Sequence, residues 1–294
     1  MLRAPTAMIR YKTRSWLGIV LSVEGTVVPR VALRTLVCVA VAAVGMMLKE
    51  RGIADLHLPI VVHSITGVAL GLLLVFRTNA SYDRYWEGRK LVEGVVDRCR
   101  DIARQTRSFV TDPGARQRAG GYIVALYVAV RRHLRHENEF SELADLLSEE
   151  DLKRLEQTEA PPLEVSRWLT DLYVTEADDG RLSEHRLRSI ENNIGALVDL
   201  WGGAERIVET PVPFAYAHHI KLFLTFFCFT VPLALIDSLG WFATVGAGVV
   251  AFGMFGIDEI GVEIEDPFGY DDNDLPLDEI GEKLRREIIQ TVEG

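Results

Sequence analysis

Four stretches of the chain are almost purely apolar: Val31–Leu48, Leu58–Phe76, Leu222–Ile236 and Leu239–Ile257. A membrane-crossing helix needs about 20 mostly apolar residues. The second and fourth stretches meet that length, and the third is short. A buried core helix is the alternative for each one alone. Their arrangement as two close pairs, joined by KERGIADLH and by DS, predicts two membrane hairpins instead. The long polar parts lie elsewhere, at the N-terminus, over 77–221 and over the last 37 residues.

Between the hairpins the pattern is helical. Residues 77–110 contain no proline, and 120–147 carries apolar residues at helical spacing (Ile123, Leu126, Tyr127, Val130, Leu134). TEAPPLE at 158–164 marks a break. Residues 182–209 again suit a helix, which TPVP ends. No strand-like alternation of useful length and no internal repeat occurs. The expected fold class is all-α.

One segment joins the two kinds of pattern. VALGLLLVFRTNASYDRYWEGR at 68–89 passes from apolar to charged with no helix-ending signal, which predicts one rod running on past the apolar layer. Val68, Leu72 and Phe76 fall at i, i+4 and i+8 on one face. Gly67 and Gly71 form a G-x-x-x-G spacing that lets a neighbouring helix approach closely. Packing in a core is the plain alternative for the stripe. However, the rod below Phe76 is polar on every side and needs water or many polar partners. Several copies around one axis satisfy both halves: a dry apolar ring above, which can gate by dewetting, and a wet vestibule below.

Composition narrows the picture. The 294 residues are 48% hydrophobic and 25% charged, a mixture of lipid-embedded and solvated segments. Cys38, Cys99 and Cys228 are far apart and lack C-x-x-C spacing, so they are expected as buried free thiols. The first long apolar run begins only near Val31 without a cleavage site after it, so no signal peptide is expected. Lys and Arg flank the spans on one side (Arg10, Lys12, Arg14 and Arg30; then Arg77, Arg84, Arg89 and Lys90), which places the long polar parts in the cytoplasm. Between Arg77 and Arg135 there are 13 Lys/Arg against 6 Asp/Glu, a balance of +7; from Asp258 onward, 13 Asp/Glu oppose 3 Lys/Arg, a balance of −10. The basic region is interleaved with acids and adjoins the spans, so nucleic acid is not an expected partner.

Hydropathy thus divides the chain into 1–30, an N-terminal cytosolic or interfacial helix; 31–76, a hairpin with a pore-lining second helix; 77–221, a helical cytosolic portion; 222–257, a second hairpin; and 258–294, an acidic cytosolic segment. Catalytic signatures are missing: there is no G-x-S-x-G, H-E-x-x-H, Walker loop or G-x-G-x-x-G. His133-x-x-His136 has metal spacing but lies on a charged helix face, and His218-His219 stands at the entry to the third span. No catalytic residue or enzyme activity is expected.

FRTNASYDRYWEGRKL at 76–91, TPVPFAYAHHIKLF at 210–223 and EIEDPFGYDDNDLPLD at 263–278 together resemble the bestrophin family in its bacterial branch, over residues 10 to 290. The resemblance implies a homopentamer in the lipid bilayer of the bacterial inner membrane, multi-pass with both termini cytoplasmic, around one central pathway for small inorganic ions. The family's apolar neck corresponds to Val68, Leu72 and Phe76, with Val68 smaller than the bulky residue common at that place. A second, cytosolic aperture falls on His185 or a neighbour, in a helix expected before NNIGALVDLWGGAERI. A surface histidine is the alternative there.

Eukaryotic members bind calcium at the segment matching EDPFGYDDNDLPLDE, where Asp266, Asp271 and Asp274 and a carbonyl near Glu263 would be the ligands. The other reading is a loop docked by ion pairs on the basic 77–135 region. The resemblance slightly favours chloride-like anions, with a sodium or potassium channel as the alternative. Arg51 and Asp55 at the outer tip, and Arg77 and Arg84 against Asp83 and Glu87 below the neck, leave the sign open. A membrane-anchored scaffold or sensor without conduction is the reading from another class.

Overall fold

A computed structural model describes residues 16–23, 25–53 and 58–294. The expectations placed on Arg10, Lys12, Arg14 and Asp55 fall outside them. Every described element is helical: α1 (Trp16–Val20), α2 (Val28–Glu50), α3 (Ile60–Phe109), α4 (Pro113–Leu134), a 3₁₀ turn (Ser141–Leu143), α5 (Glu149–Gln157), α6 (Pro161–Asp178), α7 (Glu184–Glu209), α8 (Phe214–Leu239), α9 (Phe242–Glu263) and α10 (Leu277–Glu293). Helices α2, α3, α8 and α9 are long and apolar enough to cross a membrane.

The chain forms two compact units among these residues. One holds the described residues up to Tyr85 together with Pro211–Asp266; the other holds Trp86–Thr210 and Pro267–Gly294. Hydropathy divides the chain at 76/77, 221/222 and 257/258, nine to eleven residues away. The difference arises because α3, α8 and α9 each run past their apolar stretch.

In the first unit α2, α8 and α9 pack on one another. Val31, Cys38, Leu70, Leu74, Leu224, Phe227, Val231 and Phe255 form its core. Pro29 sits in the first turn of α2, where its missing N–H costs nothing. The third span is a full 26-residue helix, longer than its apolar run, because Phe214–Lys221 adds two polar and aromatic turns after the TPVP break. Pro232 lies inside it, as membrane helices tolerate. Gly240, at φ 54°, makes the tight link to α9 that a side chain would strain.

The second unit has its own core, built around Ile102, Ile123, Leu126, Phe140, Leu169, Tyr173, Ile190 and Leu197. Asp112 caps α4 by accepting a hydrogen bond from the Ala115 N–H at 2.7 Å, with Pro113 in the first turn. The helix expected over 120–147 instead begins at Pro113 and stops at Leu134. His136, in the left-handed region at φ 55°, turns the chain away. Helix α10 lies on α4: a Cβ on Gly281 would stand 2.8 Å from the Tyr127 ring, so only glycine permits this approach. The Tyr127 hydroxyl donates to the Leu277 carbonyl at 2.8 Å.

Candidate functional site

The rod is real: α3 runs unbroken for 50 residues. Its part in the first unit has two opposed faces. Leu70, Leu74, Arg77 and Ser81 are buried; at about 100° per residue they cluster on one side of the helix. Val68 is 77% exposed, Leu72 55% and Phe76 57%. Asn79 and Asp83 are exposed too, and all five fall within about 80° of one another on the opposite side. One outward stripe therefore changes from apolar to polar just below Phe76. Gly67 is used as the G-x-x-x-G spacing predicts, since a Cβ there would stand 3.1 Å from the Phe227 ring of α8. Gly71 meets open space within the chain.

The two arginines below the stripe do not lie on it. Arg77 is 2% exposed and donates to the Asp258 carboxylate of α9, itself 3% exposed; Glu265 lies 3.7 Å from its other terminal nitrogen. Arg84 donates from Nε to the Glu265 carbonyl at 3.3 Å. The same end of α9 pairs with α2: Arg34 with Glu259 at 3.1 Å and Arg30 with Glu263 at 3.4 Å. These i, i+4 rungs run antiparallel and lock α9 beside α2. At the other end of the helices Lys49 pairs with Asp237, and the Trp241 indole N–H donates to Glu50 at 2.8 Å. Within the apolar layer His63 Nε2 lies 3.0 Å from Thr230 Oγ1, a polar link between α3 and α8.

Asp258 is the buried partner that the hydropathy pattern leaves hidden. A signal for it does exist in the sequence: Arg77 and Asp258 are each the first charge after their apolar stretch.

In the second unit, His185 is exposed in the first turn of α7. That helix also carries Asn192–Ile207, so His185 does not belong to a separate preceding helix. His133 points its Nε2 at Glu205 at 2.6 Å and packs edge-on against Trp201, whereas His136 lies beyond the helix end. The two do not share a helix face. His218 and His219 are exposed and stack on Phe214 and Phe223 one turn away.

The acidic segment after α9 is a loop. Asp266 and Asp271 are exposed, and Asp274 is buried. Asp274 Oδ2 accepts the Asp271 N–H at 2.7 Å, and Asp271 O accepts the Asp274 N–H at 3.0 Å, a turn that closes on itself. Among the described residues no group of three His, Cys, Asp or Glu comes together as a metal site. Basic side chains of α4 and its C-cap reach the segment instead: Arg131 and Arg135 both pair with Asp278, at 3.0 and 2.9 Å. Arg131 also pairs with Glu142. Partial burial raises the Glu142 carboxyl, but Arg131 and Arg132 more than offset this and hold it below its usual range.

The model of the bacterial and fungal bestrophin proteins matches residues 7–290. The chain belongs to the bestrophin family. This bestrophin is 39% identical to the voltage-dependent anion channel-forming protein alr2987 of Nostoc sp. over 280 residues, 94% of this chain and 91% of the relative. It is 36% identical to the correspondingly named sll1024 of Synechocystis sp. over 285 residues, 95% and 92% of the two chains. A crystal structure of a bacterial bestrophin homolog from Klebsiella pneumoniae superposes with a TM-score of 0.83 at 27% identity, covering 89% of this chain and 98% of that one. The bestrophin reading of the sequence therefore stands, and with it membership of an ion-channel family.

Proposed function

We propose that this bestrophin assembles as a homopentamer in the inner membrane and passes small inorganic ions down their gradients, with both termini and the Trp86–Thr210 unit in the cytoplasm. The observation that carries this reading is the outward stripe of α3. A helix that only faced lipid would have no use for Asn79 and Asp83 directly in line beneath Val68, Leu72 and Phe76. Five such stripes around an axis make a dry neck opening into a wet vestibule, and the neck gates by dewetting. His185 is the proposed residue of the second, cytosolic aperture. The names of the relatives make chloride-like anions the first candidate ions.

Reconstitution into liposomes under a KCl gradient tests the reading. Ion flux is expected; its absence from wild type and from Leu72→Ala/Phe76→Ala protein alike would leave a membrane-anchored scaffold as the better account.

Sodium or potassium passage is the second reading, favoured by a specific observation. With Arg77 buried, Asp83 is the first ionisable side chain on the stripe below the neck. A ring of such carboxylates raises the local cation concentration. Asp83→Asn is expected to lower the cation-to-anion permeability ratio about twofold, the change that roughly 0.5 kcal/mol of screened attraction supplies. The reversal potential under the same gradient reads it, and an unmoved potential would take Asp83 off the pathway.

A further inference from the structure

The resemblance offers calcium as one reading of the loop after α9, yet its polar interior already holds a positive charge. Arg135 is the C-cap of α4, and its side chain is 4% exposed. Its Nε donates to the Phe268 carbonyl at 2.8 Å, and Nη2 donates to the Gly269 carbonyl at 3.2 Å. Nη1 donates to both Asp278 carboxylate oxygens, at 3.1 and 2.9 Å. The guanidinium also lies over the Tyr270 ring, 4.0 Å from its centroid. Tyr270 is fixed in turn by donating its hydroxyl to Glu137 at 2.6 Å. Partial burial and this bond both push the phenol up, so it stays protonated and keeps its donor.

Two backbone carbonyls and a bidentate carboxylate are the donors that a hard divalent cation selects. Here they converge on a planar fork that matches them in number and direction. The aromatic face supplies a further contact that suits a guanidinium better than a hydrated metal ion. A calcium ion seated on the Phe268 and Gly269 carbonyls would stand beside a fixed positive charge with no water between them. We propose that Arg135 is the built-in cation of the 268–278 loop, closing it onto α4 so that its fold is independent of calcium. The remainder of the loop agrees. Phe268 is fully buried, Leu275 N–H donates to the Pro267 carbonyl at 2.9 Å, and the Asp271–Asp274 turn uses its own carboxylate internally. Removing the guanidinium would take a charge-assisted donor from the Phe268 and Gly269 carbonyls and from Asp278 at once.

The test uses the full-length protein in detergent and needs no ion flux. Limited proteolysis of the 266–278 loop and thermal unfolding are followed in calcium and in chelator at equal ionic strength. Wild type should behave identically in both. Arg135→Ala should be cleaved about tenfold faster, the loss expected from charge-assisted hydrogen bonds. Added methylguanidinium should slow that cleavage, whereas sodium chloride at the same ionic strength should not. Arg135→Lys, which keeps the charge and loses the fork, should fall between wild type and alanine, and it stands in if the alanine protein does not fold. Calcium-dependent protection of wild type, wild-type cleavage rates in both variants, or failure of methylguanidinium to protect folded Arg135→Ala would each overturn the assignment.

Discussion

Replacing Leu72 and Phe76 together by alanine is expected to raise ion flux through reconstituted protein roughly tenfold. A tenfold gain needs only about 1.4 kcal/mol off the barrier. The barrier in an apolar neck is the cost of wetting it, which scales with exposed apolar area at roughly 25 cal/mol per Å². Truncating one aromatic and one leucine per subunit of the proposed pentamer removes more area than that figure requires. Val68→Ala should change flux far less, because valine is already small and stands at the outer end of the stripe. Leu33→Ala is the control: Leu33 is exposed on α2, away from the stripe, and its truncation should leave flux unaltered. The comparison is made by chloride and potassium efflux from liposomes at equal protein density. Equal flux from Leu72→Ala/Phe76→Ala and wild type would mean that the stripe is not the barrier.

The second large effect concerns folding. Asp258→Ala should destabilise the protein by about 3–5 kcal/mol, because it strands Arg77 in a buried position with only the more distant Glu265 to answer it. In thermal unfolding of the detergent-solubilised protein this is a fall on the order of 10 °C. The double variant Arg77→Met/Asp258→Leu removes both charges and should recover most of the loss, since a buried pair replaced by apolar groups of similar size is often near neutral. A double variant as unstable as Asp258→Ala would show that the residues act through something other than their mutual pairing. The pair also has a bearing on the stripe. It fixes the rotation of α3, and turning the helix to free Arg77 would carry Phe76 away from its outward position.

Much of this was legible in the chain. The absence of proline between Phe76 and Phe109 predicts the unbroken rod, and the i, i+4, i+8 spacing predicts that Val68, Leu72 and Phe76 share a face. The spacing leaves open that Arg77 turns inward while Asp83 turns outward, because a helix polar on all sides has no stripe to read. Burial decides it, and burial depends on Asp258, 181 residues away. The third span reads as short because hydropathy stops at Lys221, whereas helix geometry continues back to Phe214 through residues that are aromatic but not strongly apolar. The place of His185 within α7 depends on where a helix starts, which the Leu182-Ser183 boundary marks only weakly. The acidic loop reads in sequence either as a calcium segment or as a loop docked on the basic 77–135 region; what decides for docking is a guanidinium at a helix end more than 130 residues earlier, which spacing cannot place.

Blocking the pathway from inside shows whether the outward stripe of α3 lines it. Wild type offers a clean background, since Cys38, Cys99 and Cys228 are all buried. Leu72→Cys protein in planar bilayers is exposed to a charged, membrane-impermeant methanethiosulfonate reagent while current is recorded. The stripe reading predicts progressive, irreversible block of Leu72→Cys and no effect on wild type or Leu33→Cys. Full labelling of the thiol introduced by Leu72→Cys with the current unchanged would contradict it.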